Sequence, residues 1–200
     1  EAWLANMQQL LKRHAWAVPA AAYQAIPDIS LYDHSRMTAA LAACLALAPG
    51  AMSPEGELTT ERRTSDIALL VGGDVSGIQD FIYTISSRGA ASALRGRSFY
   101  LQLLTDAAAS YLLRVLDLPR TNLVYASGGH FYLLAPPGSE ETLREAQRYI
   151  SRVLLRHHGG DLYLAVAGLP LTAQDLTGER MSARWEELAG RLREAKDRRF

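Results

Sequence analysis

The stretch Gly72 to Phe81, GGDVSGIQDF, gathers most of the residues whose types and spacing could do chemistry. It is not a P-loop, because no Gly-Lys-Ser/Thr follows. It is not a nucleophile elbow either, since G-x-S-x-G around Ser76 would need glycine at position 74, which is Asp74. What remains is a carboxylate at the C-terminal end of an apolar run, then small residues entering a helical turn. Backbone N–H groups exposed there, with the dipole of that turn, suit phosphate. Asp74 could hold a divalent ion bridging such phosphates. The plainer reading has Asp74 capping the turn and the glycines shaping it.

Other groups are weaker signals. Arg95-Gly96-Arg97-Ser98 reads as a loop before a helix, where two guanidiniums beside a helix N-terminus would clamp phosphate or an RNA backbone. Ser127-Gly128-Gly129-His130 reads as a hairpin tip. Two-metal nucleotidyl transfer would want carboxylates at such a tip, and His130 stands there instead. Asp33-His34 reverses the order of a metal phosphohydrolase doublet and reads more simply as capping and packing. His157-His158 ends a helix, where imidazolium suits the dipole. Arg191, Arg193, Lys196, Arg198 and Arg199 read as a solvated helix end.

These groups need elements to position them. Trp3, Leu4, Met7, Leu10 and Leu11 share one helix face. Ser35 to Ala48 is apolar nearly all round, as in a helix buried by neighbours, and Pro49-Gly50 stops it. Residues 50–66 are polar and turn-rich, the expected linker. Beyond them come a strand over Ile67–Val75, a helix over Ser98–Leu118 with Ser98 as N-cap, and a hairpin of Leu123–Ala126 with Phe131–Ala135. A helix capped by Ser139 then runs to His158, followed by a strand over Leu162–Leu169 and a charged helix over Ser182–Arg199. The order β-α-β-β-α-β predicts an α+β, ferredoxin-like palm: an antiparallel sheet with helices on one face, preceded by a helical segment.

Composition bounds the function. The 200 residues suffice for one domain or slightly more. Lys plus Arg (21) equals Asp plus Glu (21), so net charge advertises neither a nucleic-acid nor a membrane surface. The single cysteine, Cys44, excludes an internal disulfide and any multi-cysteine zinc site within this chain, and fits a cytoplasmic setting. The longest apolar run, Met37 to Pro49, is too short to span a bilayer. The chain opens Glu-Ala-Trp in apparent mid-helix, as expected at a fragment boundary.

Taken together, GGDVSGIQDFIYTISSRGAASALRGRSFYLQLLTDA and NLVYASGGHFYLLAP resemble the first palm of the large subunit of type III-A (Csm-type) CRISPR effector complexes, a GGDEF-like domain. IPDISLYDHSRMTAALAAC resembles the end of that subunit's HD domain, and GDLYLAVAGLPL resembles the exit towards its zinc-binding region. The resemblance implies a division into residues 1–49 (end of a helical HD-type domain), 50–66 (linker) and 67–200 (first palm). It implies a subunit that makes cyclic oligoadenylates from ATP on binding target RNA, with the catalytic GGDD in a second palm and single-stranded DNA cut by the HD domain. Carried over residue by residue, the ATP pocket would be Asp74, Ser76, Gly77 and Gln79 with Ser127, Gly128 and Gly129, flanked by Arg95, Arg97 and Ser98. Asp74 would face Mg2+ or Mn2+, and Asp33 and His34 would be an HD-domain remnant. His130 in place of an acid implies a palm that binds without catalysing, so this stretch alone is expected to be inactive. Implied partners are the second palm, other Csm subunits, CRISPR RNA, target RNA and single-stranded DNA, with no membrane.

The alternative is a ferredoxin-like RNA-binding or docking module, supported by Phe131 and Tyr132 on a central strand. Against it, Ile67–Val71 carries no aromatic residue, and the net charge is zero.

Overall fold

The computed structural model describes residues 2–20, 26, 28–48, 65–83 and 90–198. Helices α1 (Ala2–Ala15) and α2 (Leu31–Leu47) come first, then β1 (Asp66–Ser76), the short α3 (Ile78–Tyr83) and α4 (Ala90–Val115). The hairpin β2 (Leu123–Ser127) and β3 (His130–Ala135) follows, then α5 (Glu140–His158), β4 (Tyr163–Thr172) and α6 (Gly178–Asp197). The strands form one antiparallel sheet in the order β2-β3-β1-β4, with β1 and β3 central. Most of the expected linker, with Pro49-Gly50 and Pro27, lies outside the described residues.

Alternation on β1 sends successive side chains to opposite faces. Leu69, Val71 and Val75 face α4 and α5, in a core shared with Phe131, Leu133, Leu112 and Leu154. Leu143, Ala146, Ile150 and Leu154 form the buried stripe of α5. The two ferredoxin helices thus share one face, as expected. The other face is not open: Leu70, Leu134, Leu169 and Leu171 are covered by α2, through Ala40 and Cys44, and by α6, through Leu188 and Leu192. The apolar α2 therefore finds its burial on the sheet.

Gly72 and Gly73 lie inside β1 and do not shape its closing turn. A Cβ on Gly73 would overlap the Phe131 ring, and one on Gly72 would press on Leu192. Each glycine lets one face pack close to the backbone. The strand β4 runs on to Thr172 through Pro170, which an edge strand tolerates. At the opposite edge, Arg36 Nη1 donates to the carbonyls of Leu123 and Val124 at 3.1 and 3.2 Å, occupying acceptors near the start of β2. Asn122, fully buried in a 3-10 turn, donates to Ala40 O at 3.1 Å and Leu134 O at 2.8 Å and meets Cys44 Sγ at 3.4 Å, tying α2 to β3. Burial pushes the Cys44 thiol up to about 12, so it packs as a small apolar group.

Two expected helix starts shift, and one expected cap bonds differently. The helix expected from Ser98 begins at Ala90, because Ala90 to Leu94 are good helix formers and Gly96 sits exposed enough to be tolerated. Ser98 is therefore inside α4 and caps nothing. Ser139 occupies the N-cap position of α5, but its hydroxyl donates back to Pro136 O at 2.7 Å. The final helix starts four residues early, at Gly178.

Candidate functional site

The turn after β1 and the tip of the β2–β3 hairpin meet at one end of the sheet. Val75 N–H donates to Gly129 O at 2.8 Å, and Asp74 lies opposite His130 in the ladder. Gly77 has φ +86°, and a Cβ there would overlap the Asp161 carbonyl, so glycine is required twice over. Gly128 and Gly129 both have positive φ, +62° and +85°, as a two-residue hairpin turn demands. A side chain on Gly129 would overlap Ile78 of α3. The structure therefore brings Asp74, Ser76, Gly77 and the tip residues Gly128 and Gly129 together, with Ser127 closing β2 beside them and Gln79 exposed on α3.

The chemistry of this end is set by which residues leave the apolar pattern. Met181, Trp185, Leu188 and Leu192 form the stripe that buries α6, and Lys196 is the next residue on it. On the sheet beneath, Leu70 and Gly72 are followed on the same face by Asp74. The two departures meet: Lys196 Nζ pairs with Asp74 Oδ2. His130 Nε2 reaches the same oxygen at 3.0 Å, while its Nδ1 lies 3.1 Å from Gly128 O. Both imidazole nitrogens thus face acceptors. Asp74 is almost fully buried, whereas the Lys196 and His130 side chains are 35% and 45% exposed. Tyr132, on the same face, has its hydroxyl pushed up from its ordinary pKa by burial and then by the Asp74 charge. Ser76 Oγ is buried with no hydrogen-bond partner among the described residues.

Lys196 was missed in the sequence, where it reads as part of a solvated basic end. Its spacing from Leu188 and Leu192 was the available signal. Arg191 is not simply solvated either; it donates to Gly168 O at 2.8 Å and to Glu187 at 2.9 Å. The anchorage of α6 also includes Asp175, buried in a capping box with Thr172 and bonded to Arg184 Nε at 3.0 Å. The Thr172 backbone N–H, with further help from Arg184, holds the Asp175 carboxyl at about 2.

The expected arginine clamp is not assembled. Arg95 donates to Ala91 O within its own helix. Arg97 donates to Phe81 O, at the end of α3 and away from its start, and lies over the Phe81 ring at 5.2 Å. Ser98 is exposed on α4. His158 packs its ring edge-on to Phe81 and lies 2.8 Å from Tyr100 Oη. Asp33 accepts from Ser30 and pairs with Arg36 at 3.3 Å, a capping and positioning role, and the His34 carbonyl accepts from Thr38. No group of three or more His, Cys, Asp or Glu suited to a metal ion occurs among the described residues. At Asp74 the donor set fits a divalent ion poorly, because two basic nitrogens already hold its Oδ2.

The sheet offers little to a stacking base. Phe131 is fully buried, and Tyr132 packs edge-to-face on Trp185 with centroids 4.8 Å apart. A cavity of about 810 Å3 between α1 and α4 is lined by Trp3, Met7 and Tyr111 among others, and shares no residue with the turn or the hairpin tip. No helix among the described residues is long and apolar enough to cross a membrane.

Residues 67–200 match the family model described as Csm1 subunit domain B. The chain is 30% identical to the CRISPR system single-strand-specific deoxyribonuclease Cas10/Csm1 (subtype III-A) of Methanocaldococcus jannaschii, over 98% of this chain and 29% of that protein. It is 38% identical to the Cas10/Csm1 of Mycobacterium tuberculosis, over 88% of this chain and 23% of that one. Among solved structures, a Csm1–Csm4 cassette in complex with cA4 superposes with a TM-score of 0.80 at 30% identity, covering 96% of this chain and 26% of its own. A cassette in complex with AMPPNP gives 0.80 at 31% identity, with the same coverage. The chain thus spans 29% and 23% of the length of these two relatives.

Proposed function

The chain belongs to the Csm1 family, the large subunit of type III-A CRISPR systems, and on that premise we propose that residues 67–200 form its first palm, which binds ATP without turning it over. The observation that carries this reading is the joining of the β1 turn to the hairpin tip through Val75 N–H and Gly129 O. That end of the sheet combines close-packed glycine turns, a Ser76 hydroxyl with no hydrogen-bond partner among the described residues, and the partly exposed Lys196 side chain. The tip itself carries Ser127, Gly128, Gly129 and His130 and no carboxylate, whereas two-metal transfer needs acidic ligands. In the whole subunit this palm would pair with a second, catalytic palm that makes cyclic oligoadenylates. Residues 1–49 would end an HD-type domain acting on single-stranded DNA, with residues 50–66 as the linker. Other Csm subunits, CRISPR RNA and target RNA would be its partners in the cytoplasm, and any Mg2+ or Mn2+ would arrive with the nucleotide.

Titration of the chain with ATP, followed by amide chemical shifts, tests the reading. Shifts should cluster at residues 72–79 and 127–130, with a dissociation constant on the order of a millimolar, because one palm buries only one side of the nucleotide. Ser127→Tyr should block binding while leaving the hairpin folded. Shifts confined to α4 and the sheet edges, and produced only by RNA, would favour the RNA-binding alternative and defeat this one.

A further inference from the structure

We infer that Lys196 is the phosphate-binding cation of this palm and that Asp74 is its resting counter-ion, not a metal ligand. The inference rests on the nucleotide reading above and gives it a specific chemistry.

The first support is the layering of charge. At this end of the sheet the carboxylate lies underneath, 8% exposed, and the two groups above it, Lys196 and His130, are basic and 35% and 45% exposed. An approaching anion meets these two basic side chains, one of them an ammonium, before it meets the carboxylate. An approaching divalent cation meets two nitrogens already drawn to Asp74 Oδ2, and the Lys196 ammonium repels it.

The second support is Ser76. Its Oγ is buried without a partner among the described residues, on the face of β1 that carries Asp74, and a buried hydroxyl of this kind calls for an acceptor. A phosphate oxygen beside Lys196 would supply one; a metal ion would not use the hydroxyl proton. The third is the shortness of α3, only six residues. So short a helix contributes little dipole, and the attraction for phosphate falls to side chains. On this account the phosphates enter by exchanging with Asp74 for the Lys196 ammonium. No bond is made or broken.

The test uses amide-shift titrations of the chain with ATP and with adenosine, each in EDTA and in excess MgCl2. Lys196→Met should weaken ATP binding at least tenfold in EDTA and leave adenosine binding unchanged. Asp74→Asn should tighten ATP binding several-fold, because it frees the ammonium, and should leave any Mg2+ enhancement as in the unaltered chain. A metal-ligand role predicts the opposite sign for Asp74→Asn: weaker ATP binding and loss of the Mg2+ enhancement. That result would overturn the inference. Either single change strands a charge and can unfold α6. The double variant Lys196→Met/Asp74→Asn removes both charges, and it should stay folded by circular dichroism and bind ATP at least tenfold more weakly than the unaltered chain. If the folded double variant binds ATP normally, Lys196 is not the phosphate cation. If the unaltered chain binds neither ATP nor adenosine, the nucleotide reading itself fails and takes this one with it. ATP binding that Lys196→Met leaves unchanged sinks only the present inference.

Discussion

The two faces of the sheet are built to different plans. Under α4 and α5 the buried surface is apolar from Leu123 through Phe131 to Leu164, and it packs the helices onto the sheet. Under α2 and α6 the apolar surface runs out at one end, where Asp74, Ser76 and His130 replace hydrophobic residues and Lys196 answers them from above. The first face belongs to the ferredoxin-like motif, and the second is closed by helices outside it. Both faces are cored by apolar side chains, but only the second gives way to charged groups at one end, and a change on one face should be felt differently from a change on the other.

The sharpest way to break that comparison is Phe131→Ala. Phe131 is fully buried on the structural face, so its loss should cost about 3–5 kcal/mol and lower the urea midpoint of the whole chain. Leu188→Ala removes a side chain of equal burial from α6 and falls within the roughly 2–5 kcal/mol range of such changes. Its effect should be local: hydrogen exchange should speed up in α6 and at Asp74 while β3 and α5 stay protected. Equal loss of protection on both faces would erase the distinction.

A smaller effect tests how α6 is anchored. Asp175 has its folded pKa lowered to about 2 from an ordinary 3.8, chiefly by the Thr172 N–H. Between those values the unfolded chain binds more protons than the native one, so stability rises with pH across that window. The contribution is fully present above about pH 4 and is lost as pH falls towards 2. Asp175→Asn should cost about 1.5–3 kcal/mol at neutral pH, and the gap between the two melting temperatures should close as the solution is acidified. A gap independent of pH would mean that packing, not the carboxylate, fastens the turn.

The smallest effect is at the β2 edge. Arg36→Ala frees two carbonyls but also relieves a buried Nε that has no partner among the described residues. The net loss should be about 1 kcal/mol, seen as faster exchange at Leu123 to Tyr125.

Much of this architecture is legible in the residues. The alternation through Ile67–Val75, the Gly128-Gly129 turn and the Pro136-Pro137-Gly138 break all act locally, so the order of strands and helices follows from the chain itself. The meeting of the β1 turn with the hairpin tip follows from that order. The start of α4 was hidden because Arg95-Gly96-Arg97 looks like a loop, while the helix propensity of the alanines before it is spread over several weak signals. The closure of the second face was hidden for a different reason. Nothing local in α2 or α6 says which surface their stripes will cover, and that is decided by the sheet. Lys196 sits between these cases: its place on the α6 stripe is visible in the spacing, but the carboxylate waiting for it belongs to a strand over a hundred residues earlier.

The Asn122 side chain has a mechanical meaning. Its amide nitrogen carries two hydrogens, and it spends one on Ala40 O and the other on Leu134 O. Sliding α2 by one residue, about 1.5 Å, would strip away one of those bonds in a place that water does not reach. Leaving that hydrogen unpaired costs about 1–3 kcal/mol, so α2 cannot creep along the sheet in small steps; it stays seated or lets go. The Asn122 amide therefore couples the seating of α2 to β3, the strand whose other end is His130.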